Sequence, residues 1–329
     1  MAHTVLMITD ESDTVAERVA VELIERGVPV FAINTADFPT KISMSAFIET
    51  GSGGWRGIVS TAHGELDLAR VGAIYWRRPT RFRMDERMSA PERVFAYGEA
   101  RRGFGGVLTA LRQSGALWVN DPMAAARAEY KPVQLAEAAR VGLDIPRTII
   151  TSQPRAAHAW AKNLGAPIIY KPLGGIWHAD EGQVRVLYTT PVTDLNDLLD
   201  PAVAHTAQMY QERIHKACEA RAIVIGDTVL AVRIDAGSEQ GRIDWRSDYD
   251  SLVYKRIELP GELRDRLVEL HRRLHLVYGA VDLACDTNGR WHFLETNQSG
   301  EWGWLNLKTG LPVAGALADV LRKGPEWAR

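Results

Sequence analysis

The stretch GAVDLACDTNGRWHFLETNQSG, residues 279–300, decides how this chain is read. Two strand-like runs flank Asn288-Gly289, the pair favoured in two-residue hairpin turns. With that turn, Thr287 faces Arg290 and Asp282 falls directly opposite Glu295. Asn297 lies two residues beyond Glu295 and points to the same face. Directly opposed side chains have Cβ atoms about 4.5–5.5 Å apart, where like charges repel. A cation between them resolves the conflict. Two carboxylates and a carboxamide are hard oxygen donors, suited to Mg2+ or Mn2+ rather than zinc. Mg2+ is commonly held by one or two carboxylates together with substrate phosphates, which points to a nucleotide enzyme. The competing reading is a solvated hairpin face whose carboxylates meet Lys or Arg.

Working outward, residues 262–278 carry Leu263, Leu267, Leu270, Leu274 and Val277 on one helical stripe. Strands are expected over 209–214, 220–225 and 229–234, with Gly226-Asp227 turning between the last two. Upstream of these, a helix is expected over 124–140, then strands at 146–150 and 168–171 around a helix at 156–164. The chain opens with a strand at 5–9, a helix at 15–26 stopped by Gly27, and a strand at 28–34. This β-α-β order implies a parallel, Rossmann-like sheet. A hairpin at 42–48 and 55–60, a strand at 73–76, a helix at 91–113 and a strand at 117–120 complete the first part. Asp121-Pro122 marks a boundary. The expected domains are 1–121, 122–205 and 206–329.

Composition narrows the function classes. Hydrophobic content of 46% and charged content of 24% are those of an ordinary globular protein, and a net charge of −2 gives no electrostatic case for nucleic acid or an anionic membrane. No apolar run reaches membrane-spanning length, and the N-terminus does not read as a signal peptide. Cys218 and Cys285 lack metal spacing and fit a reducing cytoplasm. GxGxxG, GxxxxGK[ST] and GxSxG are all missing, so a dinucleotide site, a P-loop and a hydrolase elbow are set aside. His271 and His275 share a helix face without HExxH and are read as surface residues.

Other residues carry chemistry more directly. Lys171 closes an apolar strand and is followed by Pro-Leu-Gly-Gly. The backbone at Gly174 and Gly175 can approach an anion, and the Lys can reach phosphate oxygens. Lys131 stands in a helical segment. Gln211, Glu212 and Ile214 end a strand, and Glu219 and Arg221 open the next. Such a hinge can read an adenine edge with main-chain groups, while a carboxylate binds ribose and an Arg binds phosphate. Trp302 and Trp304 flank Gly303 and either pack in the core or wall an acceptor pocket. Arg77 and Arg78 sit at the C-terminal edge of a strand, where open α/β sheets bind ligands.

Taken in order, these pieces resemble the ATP-grasp superfamily. The resemblance implies an α/β ATP-grasp fold with a Rossmann-like N-terminal pre-ATP-grasp domain, a small central α+β subdomain and a C-terminal ATP-grasp subdomain. It implies that Lys131 and Lys171 bind ATP and that the loop at 173–177 covers the phosphates. Glu212 and Ile214 would contact adenine, Glu219 the ribose and Arg221 a phosphate. Asp282, Glu295 and Asn297 would hold magnesium. The runs Tyr75-Trp76-Arg77-Arg78-Pro79, Asp244-Trp245-Arg246 and LETNQSGEWGWLN resemble the microviridin, or graspetide, peptide maturases. Those enzymes phosphorylate Asp or Glu side chains of a ribosomal precursor peptide. They then close ester or amide links to Thr, Ser or Lys, releasing ADP and phosphate. The likeness implies a partner with leader and core segments and, by resemblance alone, a homodimer; recognition of the peptide beyond its reacting residues calls for a leader site, which is placed near 194–209. Arg246 is the expected grip on the substrate carboxylate, beside Asp244. Gln298 departs from the Pro common in relatives. Two other readings stand beside this one: an ATP-grasp ligase joining separate molecules, of the glutamate-ligase or dipeptide-ligase type, and a nucleotide-binding module without turnover.

Overall fold

A computed structural model describes residues 3–174, 177–180, 183–238, 241, 243 and 251–327. Gly175 and the Asp244-Trp245-Arg246 motif lie outside the described residues. The N-terminal sheet is parallel, in the order Val30–Ile33, Thr4–Ile8, Val71–Trp76, Leu117–Val119. Every residue of Thr4–Ile8 is buried, as a central parallel strand requires. Asp13 caps the helix Thr14–Glu25, its carboxylate accepting from the Val15 and Ala16 amides. The expected hairpin forms and gains an unforeseen third strand: Ser43–Phe47, Arg56–Thr61 and Gly64–Asp67. The long helix Ala90–Ala110 opens on a Ser89/Glu92 capping box.

The single helix expected over 124–140 is two helices, Pro122–Ala128 and Lys131–Arg140. Pro132 is the physical reason. A proline ring inside a helix clashes with the carbonyl four residues back and removes an amide donor. Here that carbonyl belongs to Ala128, and it accepts instead from the Gln134 side chain at 2.6 Å. The break leaves Lys131 at the start of the second helix.

An antiparallel sheet follows, in the order Thr190–Val192, Ile168–Lys171, Gln208–Glu212, Thr148–Thr151, with the helix Pro154–Leu164 packed against it. Gln208–Glu212, read from sequence as the start of the third region, pairs within this sheet. Between Lys171 and Thr190 the backbone forms a hairpin of Trp177–Asp180 and Gln183–Val186.

The third sheet has five antiparallel strands, Leu252–Ile257, Thr228–Ala236, Lys216–Ile225, Tyr278–Asp286 and Trp291–Asn297. The helix Gly261–Leu274 buries Leu267, Leu270 and Leu274 against it. That helix ends before the expected 278 because His275 adopts a left-handed conformation, φ 57°, and closes the last turn. His271, expected on the surface, is buried at 1% exposure. The last helix, Val313–Lys323, returns to the N-terminal sheet, and its Leu317 and Leu321 share one core with Val19, Leu23 and Val5.

The decisive hairpin pairs Asp282 with Glu295, as expected, but by a different route. Its loop has three residues, not two. The Asp286 carboxylate accepts from the Asn288 and Arg290 amides, each at 2.9 Å, and Gly289 takes φ +81°. This displaces the register by one residue, so Leu283 faces Phe293. A bulge at Leu294 then takes up one residue and brings Glu295 back opposite Asp282.

Candidate active site

The four-stranded and five-stranded antiparallel sheets face each other across a cleft of about 620 Å3, including space open to solvent. Ile169, Lys171, Gln211, Glu212 and Ile214 line one wall; Glu219, Asp282, Ala284, Leu294 and Glu295 line the other. Leu294 and Glu295 are sequence neighbours yet both reach the cleft, which the bulge permits.

The like-charge conflict between Asp282 and Glu295 is met by cations from three parts of the chain. Arg221 lies opposite Asp282 on the next strand, and its Nη1 donates to Asp282 Oδ1 at 2.6 Å, both side chains being buried. Lys131 Nζ donates to Glu295 Oε2. Lys171 Nζ stands 3.6 Å from the same oxygen. Asn297, exposed at the strand end, accepts the Ser299 amide at 2.9 Å. Lys216 donates to Glu219 Oε1 at 2.7 Å and to the Ile243 carbonyl at 2.9 Å. At the hinge, Arg147 takes both Glu212 oxygens at 2.8 Å, and this hydrogen bonding holds the Glu212 carboxyl below its ordinary range. Glu212 thus lines the cleft with its charge already met by Arg147, and its amide donates to the Arg147 carbonyl at 2.8 Å. Among the described residues no main-chain partner meets the Ile214 amide.

The supports behind these groups were not read from sequence. Gln134 seals the outer edge of Trp291–Asn297. Its Oε1 accepts the Thr296 amide at 2.8 Å and its Nε2 donates to the Thr296 carbonyl at 2.9 Å. It lies one turn from Lys131 on the same helix. Thr296 points away from the cleft, to His271 Nε2 at 3.1 Å. Burial pushes the pKa of His271 down to about 4. Gly279 leaves room for this pair: a Cβ there would stand 2.2 Å from His271 Nε2. Gly300 likewise admits Arg221, whose Nη2 a Cβ would approach at 2.7 Å.

Asn120, expected only as a strand end before a boundary, ties the N-terminal sheet to both ends of the hairpin. Its Oδ1 accepts the Val277 and Tyr278 amides at 2.7 and 2.9 Å, and its Nδ2 donates to the Tyr278 and Gln298 carbonyls at 2.8 Å. All four hydrogen-bonding positions of the carboxamide are filled. Gln298, the departure from the expected Pro, also donates to Glu129 at 3.0 Å. Of the other expected site residues, Arg77 and Arg78 reach Glu301, just beyond the hairpin. Trp302 is fully buried under the N-terminal sheet, so packing rather than a pocket wall describes it.

Residues 4–126 match the family described as the MvdD pre-ATP grasp domain. Over nearly its whole length the chain finds its likeness in solved structures. A RiPP-associated ATP-grasp ligase from Chryseobacterium gregarium, solved with ADP and a leader and core peptide, is 26% identical with a TM-score of 0.86, covering 97% of this chain and 96% of that one. The chain has the ATP-grasp fold. A second structure, the macrocyclase MdnC of Microcystis aeruginosa bound to precursor peptide MdnA, is 27% identical with a TM-score of 0.79. It covers 96% of this chain and 98% of that one. Among curated proteins, the D-alanine–D-alanine ligase of Nitrosospira multiformis is 28% identical over 191 residues, 54% of this chain and 58% of that protein. The chain thus spans little more than half the length of that relative. Among the described residues no helix is long and apolar enough to cross a membrane.

Proposed function

We propose that this ATP-grasp protein is an ATP-dependent ligase that cross-links a ribosomally made precursor peptide through its Asp or Glu side chains. The observation that carries this is the likeness, over nearly the whole chain, to a ligase solved with ADP and both peptide segments. The cluster of Lys131, Lys171, Arg221, Asp282 and Glu295 supplies what the chemistry needs. Three cations against two carboxylates leave the cluster net positive, which suits an anionic nucleotide.

Asp282, Glu295 and Asn297 would hold magnesium, or manganese in its place. Their oxygens are the donor type these ions take, and Asp282 and Glu295 each keep a cationic partner that a metal–nucleotide pair can replace. A bound Mg2+ would neutralise charge on the transferring phosphate. The protein's own groups position the reactants. The hinge at Gln211, Glu212 and Ile214 would take adenine through its main chain, and Glu219 the ribose. Lys131 and Lys171 would exchange Glu295 for phosphate oxygens, with Gly174 and Gly175 letting the backbone come close. Arg221, and Arg246 with Asp244 beside it, would grip the carboxylate and the phosphate it acquires. The carboxylate oxygen attacks the γ-phosphorus and ADP leaves. A Thr or Ser hydroxyl, or a Lys amine, then attacks the acyl carbon, and phosphate leaves as the nucleophile gives up its proton. Positioning and charge neutralisation dominate such transfers. A cytoplasmic location belongs to the same reading, and both cysteines are free and buried.

Purified protein with MgATP and a Thr-, Ser-, Asp- and Glu-rich peptide encoded beside it should form ADP. The peptide should lose about 18 Da per link, one activated carboxylate per ATP. The likeness to D-alanine–D-alanine ligase favours a second reading, the joining of separate molecules. ADP formation with free amino acids, and none with the peptide, would decide for that one.

A further inference from the structure

Arg77 and Arg78 leave the same strand end into opposite surroundings. The Arg77 side chain is 2% exposed; its Nη1 donates to the Ser299 carbonyl at 2.7 Å, its Nη2 donates to Glu301 Oε1, and its Nε lies 3.4 Å from Asp13 Oδ2. Arg78 is 50% exposed and donates to the same Glu301 oxygen, with Asp13 further off at 3.7 Å. One carboxylate oxygen therefore serves two guanidinium groups. Arg77 keeps the Ser299 carbonyl and Asp13 whether or not Glu301 is present. Arg78 depends on Glu301, itself 43% exposed, for its close contact. Asp13 is committed elsewhere, capping the first helix through the Val15 and Ala16 amides.

The location gives this pair its interest. It stands where the order of the parallel sheet reverses, between Thr4–Ile8 and Val71–Trp76, at their C-terminal ends. Open α/β sheets take ligands in that crevice. Residues 299–301, which the pair contacts, follow closely in the chain on Asn297, one of the proposed magnesium ligands.

We infer that Arg78 is a second carboxylate site, for an acidic side chain of the substrate peptide other than the one being activated, with Glu301 as its built-in competitor. The inference rests on the peptide-ligase reading above. A guanidinium takes a carboxylate best through two parallel hydrogen bonds. Glu301, sharing one oxygen between two arginines, does not offer Arg78 that geometry, and an incoming Asp or Glu does. Solvent-exposed ion pairs contribute little, so the exchange meets little resistance. Glu301 stays on Arg77 while Arg78 turns to the peptide.

The test uses two fluorescein-labelled synthetic peptides, one alternating Thr and Glu, the other Thr and Gln, with anisotropy read on the full chain. R78Q should weaken the acidic peptide about three- to tenfold and leave the Gln peptide unchanged. E301Q should tighten the acidic peptide, and the R78Q/E301Q double variant should lose that gain. Wild-type affinity in R78Q, or weaker binding in E301Q with an unchanged thermal midpoint, overturns the inference. The ligase reading fails separately. If the neighbouring precursor is dehydrated with the same KM in wild type and R78Q, only the Arg78 site is wrong. If no peptide is dehydrated while acidic binding still tracks Arg78, the carboxylate site stands without the ligase.

Discussion

Glu295 carries the greatest consequence of any single residue, because two lysines from different elements meet on it. Glu295→Gln keeps the shape and removes the charge. Turnover should fall on the order of 10²-fold or more, in line with removing a preorganised electrostatic group. Full activity in that variant, measured as ADP release with the precursor, would rule out the metal and lysine roles proposed for this cluster. His271 offers a second residue-level expectation, in pH. Its pKa falls from 6.5 to about 4 on folding, so between those values the unfolded chain binds a proton that the native chain does not. Its contribution is fully present above pH 6.5 and is lost as the pH falls toward 4. From neutral pH to about pH 5 that loss is on the order of 2 kcal/mol. Urea unfolding of wild type and His271→Gln, run side by side, should show their stability difference shrinking by about that amount. A difference independent of pH would mean that His271 is not held neutral.

At the scale of elements, the carboxylate-bearing strand is secured by side chains acting as surrogate backbone. Gln134 completes the edge of Trp291–Asn297 and also takes the orphaned Ala128 carbonyl. Gln134→Ala leaves buried polar groups unpaired at about 1–3 kcal/mol each. Thermal stability should drop, and the ATP KM should rise because Lys131 shares the helix; an unchanged midpoint would show that water takes over these bonds. These supports explain what sequence reading reached and what it missed. Asp282, Glu295, Lys171 and the hinge announce themselves through charge type, strand ends and spacing. Gln134 and Asn120 do not, because a carboxamide is informative only once its distant main-chain partners are in place. Apart from Ala128, a near neighbour of Gln134, those partners lie more than a hundred residues away. The Asp282–Glu295 pairing was legible for an incidental reason. A loop one residue longer than Asn288-Gly289 implies and a bulge at Leu294 shift the register in opposite senses and cancel. The broken helix at Pro132 was readable from proline chemistry alone, whereas the left-handed His275 carries no strong local signal.

At the scale of the whole molecule, the N-terminal sheet is not closed by its own residues. Val313–Lys323 covers it, and His3 Nε2 meets the Leu321 carbonyl at 3.0 Å, so residues from the two ends of the chain share one core. Lys131, Lys171 and Glu295 come from three separate elements, and a nucleotide engaging all three should draw them together. MgATP at about a hundred times its Kd should raise stability by about 2.7 kcal/mol, read as a concentration-dependent thermal midpoint. ATP with EDTA should give less, and an equal shift without metal would remove the magnesium from the proposal. The bulge at Leu294 also separates two parts of one hairpin. It is the slack that lets the tip, from Asp286 to Arg290, change length while the paired carboxylates behind it keep their partners. A probe or tag threaded in at Asn288 would ride outside the chemistry it reports on, provided Arg290 keeps its pair with Asp144.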